Sequence, residues 1–257
     1  MTIFKQQDFK KSSENLIIFF SGFGSAPSHF ELFFANNKTQ EVGKNFDIIM
    51  CYDYVDFTKQ KTQMQDIINT TKNYANTYLI AWSMGVFVAS VLLSDFAKNN
   101  GLDLGRIFTQ KIAINGTNIG IHSTQGIPPK IFSYTAKNFN QDAFRSALFD
   151  TNKVISQDKN TQDFIADFAL PKDTQRLKNE LESLQHLQTN TSLDFMQNVI
   201  WDKAIISKAD KIFPTHSCEI FFAQNPHKNH TKIIYTNAPH FAFIGFKNWQ
   251  EIIAINH

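Results

Sequence analysis

Short runs of consecutive apolar residues, each closed by small or polar residues, recur through the first 120 positions and again after position 199. Leu16 to Phe20, Phe46 to Tyr52, Tyr78 to Trp82 and Ile112 to Ile114 lack polar alternation and are too short for helices. Such runs are expected of strands buried on both faces of a parallel sheet. Between the second and third, Gln63 to Tyr74 sets Met64, Ile67, Ile68 and Tyr74 at near-helical spacing, which predicts an amphipathic crossover helix. After Trp82, Val86 to Phe96 predicts a strongly apolar helix that Asn99-Asn100-Gly101 ends. Strands and helices alternating in this way predict a parallel α/β sheet.

The first strand runs into Ser21-Gly22-Phe23-Gly24-Ser25, a glycine-rich loop, and Pro27 and Ser28 then mark a helix start whose mixed apolar pattern covers His29 to Phe34. The rhythm stops at Ile119. From there to Asn198 the chain is mostly polar, with helical patches at Gln141 to Phe149 and Asp173 to Leu187. It resumes with Val199-Ile200-Trp201 or Ala204-Ile205-Ile206 and again with Thr231 to Tyr235, and Trp249 to Ile255 closes as a short helix. No internal repeat or low-complexity linker is visible, so the expected organisation is one core domain, residues 1–118 and 199–257, with a helical lid insertion at 119–198.

Composition narrows the function. A chain of 257 residues can bury a sizeable core, and a formal charge of +2 gives no global field for nucleic acid or a membrane surface. Cys51 and Cys218 form no disulfide framework and no metal-ligand spacing, and the other histidines, His227 and His230 among them, make no metal pair at helical spacing. No metal or cofactor is expected. Without an apolar leader or a run long enough to span a bilayer, a soluble cytoplasmic protein is expected.

The candidate chemistry starts at Ala81-Trp82-Ser83-Met84-Gly85, where a strand meets a helix. A serine held on a sharp strand-to-helix turn needs small neighbours two residues before and two after it, and Ala81 and Gly85 meet that need, alanine being a mild departure from G-x-S-x-G. The alternative is a buried strand and core helix whose serine is merely small. Asp210 follows one predicted strand and His240 follows the last, so both fall in loops at the carboxyl ends of strands, where sites in open α/β sheets assemble. The order Ser, Asp, His is that of α/β-hydrolases. Ser83 would be the nucleophile, His240 its base, and Asp210 the group that fixes the histidine tautomer. Backbone N–H groups of Met84 and Phe23 would form the oxyanion hole.

Ser21-Gly22-Phe23-Gly24, Cys51-Tyr52-Asp53-Tyr54, Ala81 to Val86, Asn115-Gly116-Thr117, Gly126-Ile127-Pro128, Asp210-Lys211-Ile212-Phe213 and His240-Phe241 together resemble the BioG-type pimeloyl-acyl-carrier-protein methyl ester esterases of biotin synthesis, a group of α/β-hydrolases. Ser21 stands where many related hydrolases carry histidine, and Phe23 where this group often has tryptophan. The resemblance implies hydrolysis of the methyl ester of pimeloyl carried on acyl carrier protein, with Gly22, Phe23, Trp82 and Met84 bordering the acyl chain. The carrier is acidic, so Lys130, Lys137, Arg145 and Lys153 of the insertion become candidates for docking it. A general short-chain carboxylesterase or thioesterase would share the triad, and a hydrolase-fold binding protein that has lost catalysis would have no need of all three residues.

Overall fold

The structure, a computed structural model, describes residues 1–6, 13–31, 46–150, 159–192, 199–224 and 230–256. Seven strands form one sheet: β1 (Thr2–Gln6), β2 (Asn15–Phe20), β3 (Phe46–Tyr52), β4 (Asn76–Trp82), β5 (Gln110–Ile114), β6 (Lys203–Ser207) and β7 (Lys232–Thr236), in the order β1-β3-β2-β4-β5-β6-β7. All pair in parallel except β1, which runs antiparallel to β3. All six residues of β2 are buried, and its apolar run Leu16 to Phe20 is what a strand covered on both faces requires.

Two helices follow the predicted crossovers. In α1 (Gln60–Thr71) the buried side chains include Met64, Ile67 and Ile68, while Tyr74 lies just beyond the helix and donates its hydroxyl to Asp47 Oδ2 at 2.7 Å. The next, α2 (Met84–Asn100), is buried along most of its length and ends at Gly101, whose φ of +62° is the left-handed conformation that glycine adopts without strain. Between β5 and β6 lie α3 (Pro129–Lys137), α4 (Gln141–Phe149), α5 (Lys159–Asp167) and α6 (Thr174–Asn190), and α7 (Thr215–Gln224) and α8 (Trp249–Ala254) flank β7. Mostly parallel, flanked by helices and interrupted by a helical insertion, this is the α/β-hydrolase fold. None of the described helices is long and apolar enough to cross a membrane.

Three differences from the sequence reading have physical causes. The sheet resumes at Lys203–Ser207, and Val199 and Trp201 are buried outside any strand, packed as core although they take no part in the ladder. β1 has no apolar run because it is an edge strand, bonded to β3 alone and half-exposed. Where a helix is expected from Pro27, it begins as a 3-10 turn over Pro27–Phe30 and Glu31 is α-helical, while residues 32–34 of that expectation lie outside the described ones.

Candidate active site

Ser83 sits between β4 and α2 at φ 58°, ψ −131°, a region that a residue with a side chain occupies only when its surroundings force it there. The force is visible in two contacts. Its N–H donates to Ile114 O at 2.9 Å, which pins it to β5, and Gly85 lets the helix close over the end of β2. A methyl group on Gly85 would lie 2.3 Å from the carbonyl oxygens of both Phe20 and Ser21, so that position admits no side chain. Ala81, inside the sheet, is fully buried.

Asp210 and His240 leave the carboxyl ends of β6 and β7 and converge on Ser83. His240 Nε2 lies 2.8 Å from Ser83 Oγ, and its Nδ1 lies 2.7 Å from Asp210 Oδ2. A carboxylate only accepts, so the ring proton belongs on Nδ1, which leaves Nε2 to accept from the serine hydroxyl. The other carboxylate oxygen, Asp210 Oδ1, accepts the backbone N–H groups of Ile212 and Phe213, each at 2.8 Å, so the acid is fixed from behind. Side-chain exposure is 1% for His240 and 2% for Asp210, which removes competition from water. Asp202, the other nearby acid in sequence, precedes β6 at the opposite end and pairs with Lys111 at 3.1 Å.

Met84 is the first residue of α2, so its N–H has no carbonyl within the helix to bond to and points out of the helix start beside Ser83. Phe23 lies across from it in the turn after β2. Both line, with Ser83, an apolar cavity of about 250 Å³ that continues between Ile127, Phe132, Phe139, Phe144 and Leu181. Its mouth is formed by Ile131 and Tyr134, which are 58% and 71% exposed, and by Lys211 and Ile212. A larger cleft of about 610 Å³, lined by Lys98, Lys111 and Asp202, is near the opposite end of the strands and shares no lining residue with this cavity.

Two residues expected to border the substrate do not line the cavity. Trp82 is a correction: its ring lies in the core against Phe241 and Phe243, and its indole N–H is engaged by the carbonyl of His240 at 2.9 Å. Gly22 stands behind Ser83, where a methyl group would come within 3.0 Å of Ser83 Cβ and of the Trp82 ring. Of the docking candidates, Lys130 and Lys137 are exposed on α3. Arg145 is a second correction, because its guanidinium donates to the carbonyls of Ile165 and Ala166 and so closes the end of α5. Lys153 lies outside the described residues.

Two further residues, Asn115 and Glu180, support this arrangement. Asn115, at φ 47° just after β5, donates from Nδ2 to Ser207 Oγ at 2.8 Å and to His240 O at 2.9 Å, and its Oδ1 accepts Ser207 N–H at 2.7 Å. Asparagine directly after a strand and before Gly116 was the signal, since it tolerates the left-handed conformation. Glu180 is buried on α6, and its signal was its place beside Leu177, Leu181 and Leu184 on one helical stripe. Cys51 and Cys218 are buried thiols whose pKa values are pushed up by burial, so both stay protonated.

A sequence profile of the family described as "Pimeloyl-ACP methyl esterase BioG" matches residues 4–252. The chain is 31% identical over 208 residues to a malonyl-[acyl-carrier protein] O-methyltransferase of Bacteroides fragilis, a stretch that takes in 79% of this chain and only 35% of that protein. It therefore spans about a third of that relative. Among solved structures, BioG from Haemophilus influenzae superposes with a TM-score of 0.69 at 23% identity, covering 98% of this chain and 99% of that one. MenH from S. aureus superposes with a TM-score of 0.57 at 14% identity, over 94% and 92% of the two chains. At these identities the two structures speak for the fold.

Proposed function

Because the chain belongs to the BioG family of pimeloyl-ACP methyl esterases, we propose that this hydrolase is a cytoplasmic serine esterase of biotin biosynthesis. Its substrate would be the methyl ester of pimeloyl on acyl carrier protein, and its products methanol and the free carboxylate on the same carrier. Residues 119–198 act as the lid over a core of 1–118 and 199–257.

Ser83, His240 and Asp210 carry the reaction. Ser83 Oγ attacks the ester carbonyl carbon while its proton passes to His240 Nε2, and the imidazolium is steadied by Asp210 at Nδ1. The carbonyl oxygen becomes an oxyanion that accepts hydrogen bonds from the N–H groups of Met84 and Phe23. Collapse of the tetrahedral intermediate breaks the bond to methoxide, which takes the proton from His240 and departs as methanol. Water then adds to the acyl-enzyme with its proton going to His240, and collapse returns that proton to Ser83 and frees the carboxylate.

The observation that carries this reading is the unbroken hydrogen-bonded line from Asp210 through His240 to Ser83, with Ser83 at the inner end of an apolar cavity. A cavity of about 250 Å³ is small for a ligand site, where roughly 300–1,000 Å³ is usual, and it suits an unbranched apolar chain whose polar group lies at Ser83. The test is to incubate the protein with pimeloyl methyl ester loaded on acyl carrier protein, follow loss of the methyl group by mass spectrometry, and compare the rate with that on a nitrophenyl ester. Efficient turnover of the carrier-linked ester is expected. Turnover of the nitrophenyl ester alone would make the protein a general carboxylesterase.

A further inference from the structure

The turn that carries Phe23 is held by a side chain from the insertion. Glu180, on α6, is 3% exposed; its Oε2 accepts the N–H of Gly24 at 3.2 Å and its Oε1 accepts the N–H of Tyr54 at 3.1 Å. One carboxylate thus bridges the turns that leave β2 and β3. Those turns are also tied to each other, since the Tyr54 hydroxyl donates to the carbonyls of Ser21 at 2.8 Å and Cys51 at 3.0 Å. At φ +68°, Gly24 holds a conformation that suits glycine, and a methyl group there would lie 3.3 Å from Leu170 and 3.5 Å from Leu177. The ring of Phe23 packs edge-on against Phe139 and Phe144, with centroids 5.3 and 5.2 Å away. The insertion therefore grips Phe23 from two sides: its ring through these aromatics, and the peptide that follows it through Glu180.

A leucine at this point of the stripe would pack without the penalty of a buried carboxyl. It could not hold two backbone N–H groups. We propose that Glu180 is a positioning residue for ester hydrolysis, which fixes the Phe23–Gly24 peptide so that the Phe23 N–H faces the oxyanion, and which completes the oxyanion hole only when α6 is seated on the core. The proposal rests on the reading of Ser83 as nucleophile and of Phe23 as donor.

The two N–H groups need two acceptors. Glutamine offers one acceptor and one N–H₂ group, so it would set a donor against one of them, and a protonated glutamic acid does the same more mildly. Burial, opposed by these two hydrogen bonds, pushes the Glu180 carboxyl up to about 8. The groups that face it are Asp53 and Tyr54 at the end of β3, Arg176 on α6, and the amino group of Met1. Asp53 opposes ionisation and Arg176 favours it. Arg176 is held in place by donating from Nε to Asp53 Oδ2 at 3.1 Å. The clamp accordingly tightens as pH rises through about 8.

The test uses the full chain and nitrophenyl butyrate, which needs no carrier. In Glu180→Gln, kcat should fall roughly 10- to 100-fold with KM changed less than about threefold, since a displaced oxyanion donor weakens the transition state and not the ground state. A trifluoromethyl ketone, which Ser83 captures with its oxygen in the oxyanion hole, should lose affinity by the same factor, while butyrate binding stays within about threefold. Arg176→Gln changes a half-exposed side chain, and because Arg176 favours ionisation of Glu180 it should move the midpoint of the kcat profile above that of the wild type, which Glu180 is expected to set. A kcat within about threefold of wild type in Glu180→Gln, or equal loss of ketone and butyrate binding, would overturn the proposal. Should Glu180→Gln not fold, an unshifted profile in Arg176→Gln overturns it. Failure of a fluorophosphonate to label Ser83 in the wild type would remove the underlying esterase reading as well, whereas labelling with an unimpaired Glu180→Gln removes the clamp alone.

Discussion

Trp82 donates its indole N–H to the backbone carbonyl of His240 at 2.9 Å, so the residue before the candidate nucleophile holds the loop that brings in its base. The indole also lies 5.3 Å from the imidazole, centroid to centroid. Trp82→Phe keeps an apolar ring and deletes the donor. It should lower stability by about 1–3 kcal/mol from the lost bond and the smaller ring, and lower kcat on a nitrophenyl ester about tenfold through slack in His240. Urea unfolding and steady-state kinetics check both. Unchanged kcat would mean that the other donors to that carbonyl, Asn115 Nδ2 and the Ala242 N–H, suffice.

Ser83→Ala and His240→Ala should each reduce kcat roughly 10⁴-fold or more, and the double variant should be no worse than either, because the two groups act as one unit. Ser83→Ala should unfold near the wild-type midpoint, while His240→Ala, which empties a buried ring site and leaves Asp210 without its partner, should still unfold cooperatively but at lower denaturant. Activity of Ser83→Ala within tenfold of wild type would remove the triad.

Asp210→Asn presents the imidazole with an amide that can donate as well as accept, which favours the wrong tautomer, and kcat should fall roughly 10²- to 10⁴-fold. Asp202→Asn is the contrasting change. It loosens a pair with Lys111 at the far end of β6 and should affect stability while leaving kcat near wild type. A crippling effect of Asp202→Asn beside a silent Asp210→Asn would reverse the assignment.

The parts of this molecule governed by local pattern were legible in the chain. Apolar runs announced β2, β3, β4 and β5, and the spacing of Ala81, Ser83 and Gly85 announced a turn whose crowding the structure makes explicit in the contacts that a Gly85 methyl would meet. β1 was not legible, because an edge strand bonded on one side needs no apolar run. Nor was the burial of Trp82 behind His240, since a large apolar residue beside a nucleophile fits a pocket wall and a core equally well, and only the partner of its N–H tells them apart. Arg145 looked like a free rim cation for the same reason. Charge is visible in a sequence, while the carbonyls at the end of α5 that engage it are brought there by packing.

Glu180 should also mark the pH dependence of stability. Its pKa in the folded protein is about 8 against an ordinary value of 4.5, so the native state holds this proton more tightly than the unfolded chain. The stabilisation this confers is complete below about 4.5 and is lost as pH rises through about 8. The wild type should therefore lose stability between pH 6 and pH 9 by an amount on the order of a few kcal/mol, and Glu180→Gln, which does not titrate, should show a flatter dependence. Denaturant unfolding at a series of pH values measures the difference, and identical slopes would mean that Glu180 is not titrating in the folded state.

On α3 the side chains Lys130, Tyr134 and Lys137 are spaced four and three residues apart, so they share one helical face, and all three are exposed. Tyr134 also forms part of the cavity mouth beside Ile131. This sets two cations around an exposed aromatic at the cavity mouth, where the carrier-linked chain of the proposed function would enter. An acidic carrier approaching it gains on-rate and orientation from the cations, an advantage that salt screens and a small neutral ester never uses. Lys130→Glu with Lys137→Glu should lower kcat/KM for the carrier-linked ester roughly tenfold or more at low salt and flatten its salt dependence, with the nitrophenyl ester within about twofold of wild type. Equal loss on both substrates would mean that α3 no longer packs through Phe132 and Ala136, its buried face. No loss on either would move carrier docking to another surface, with Lys211 on the far side of the mouth the next cation to reverse.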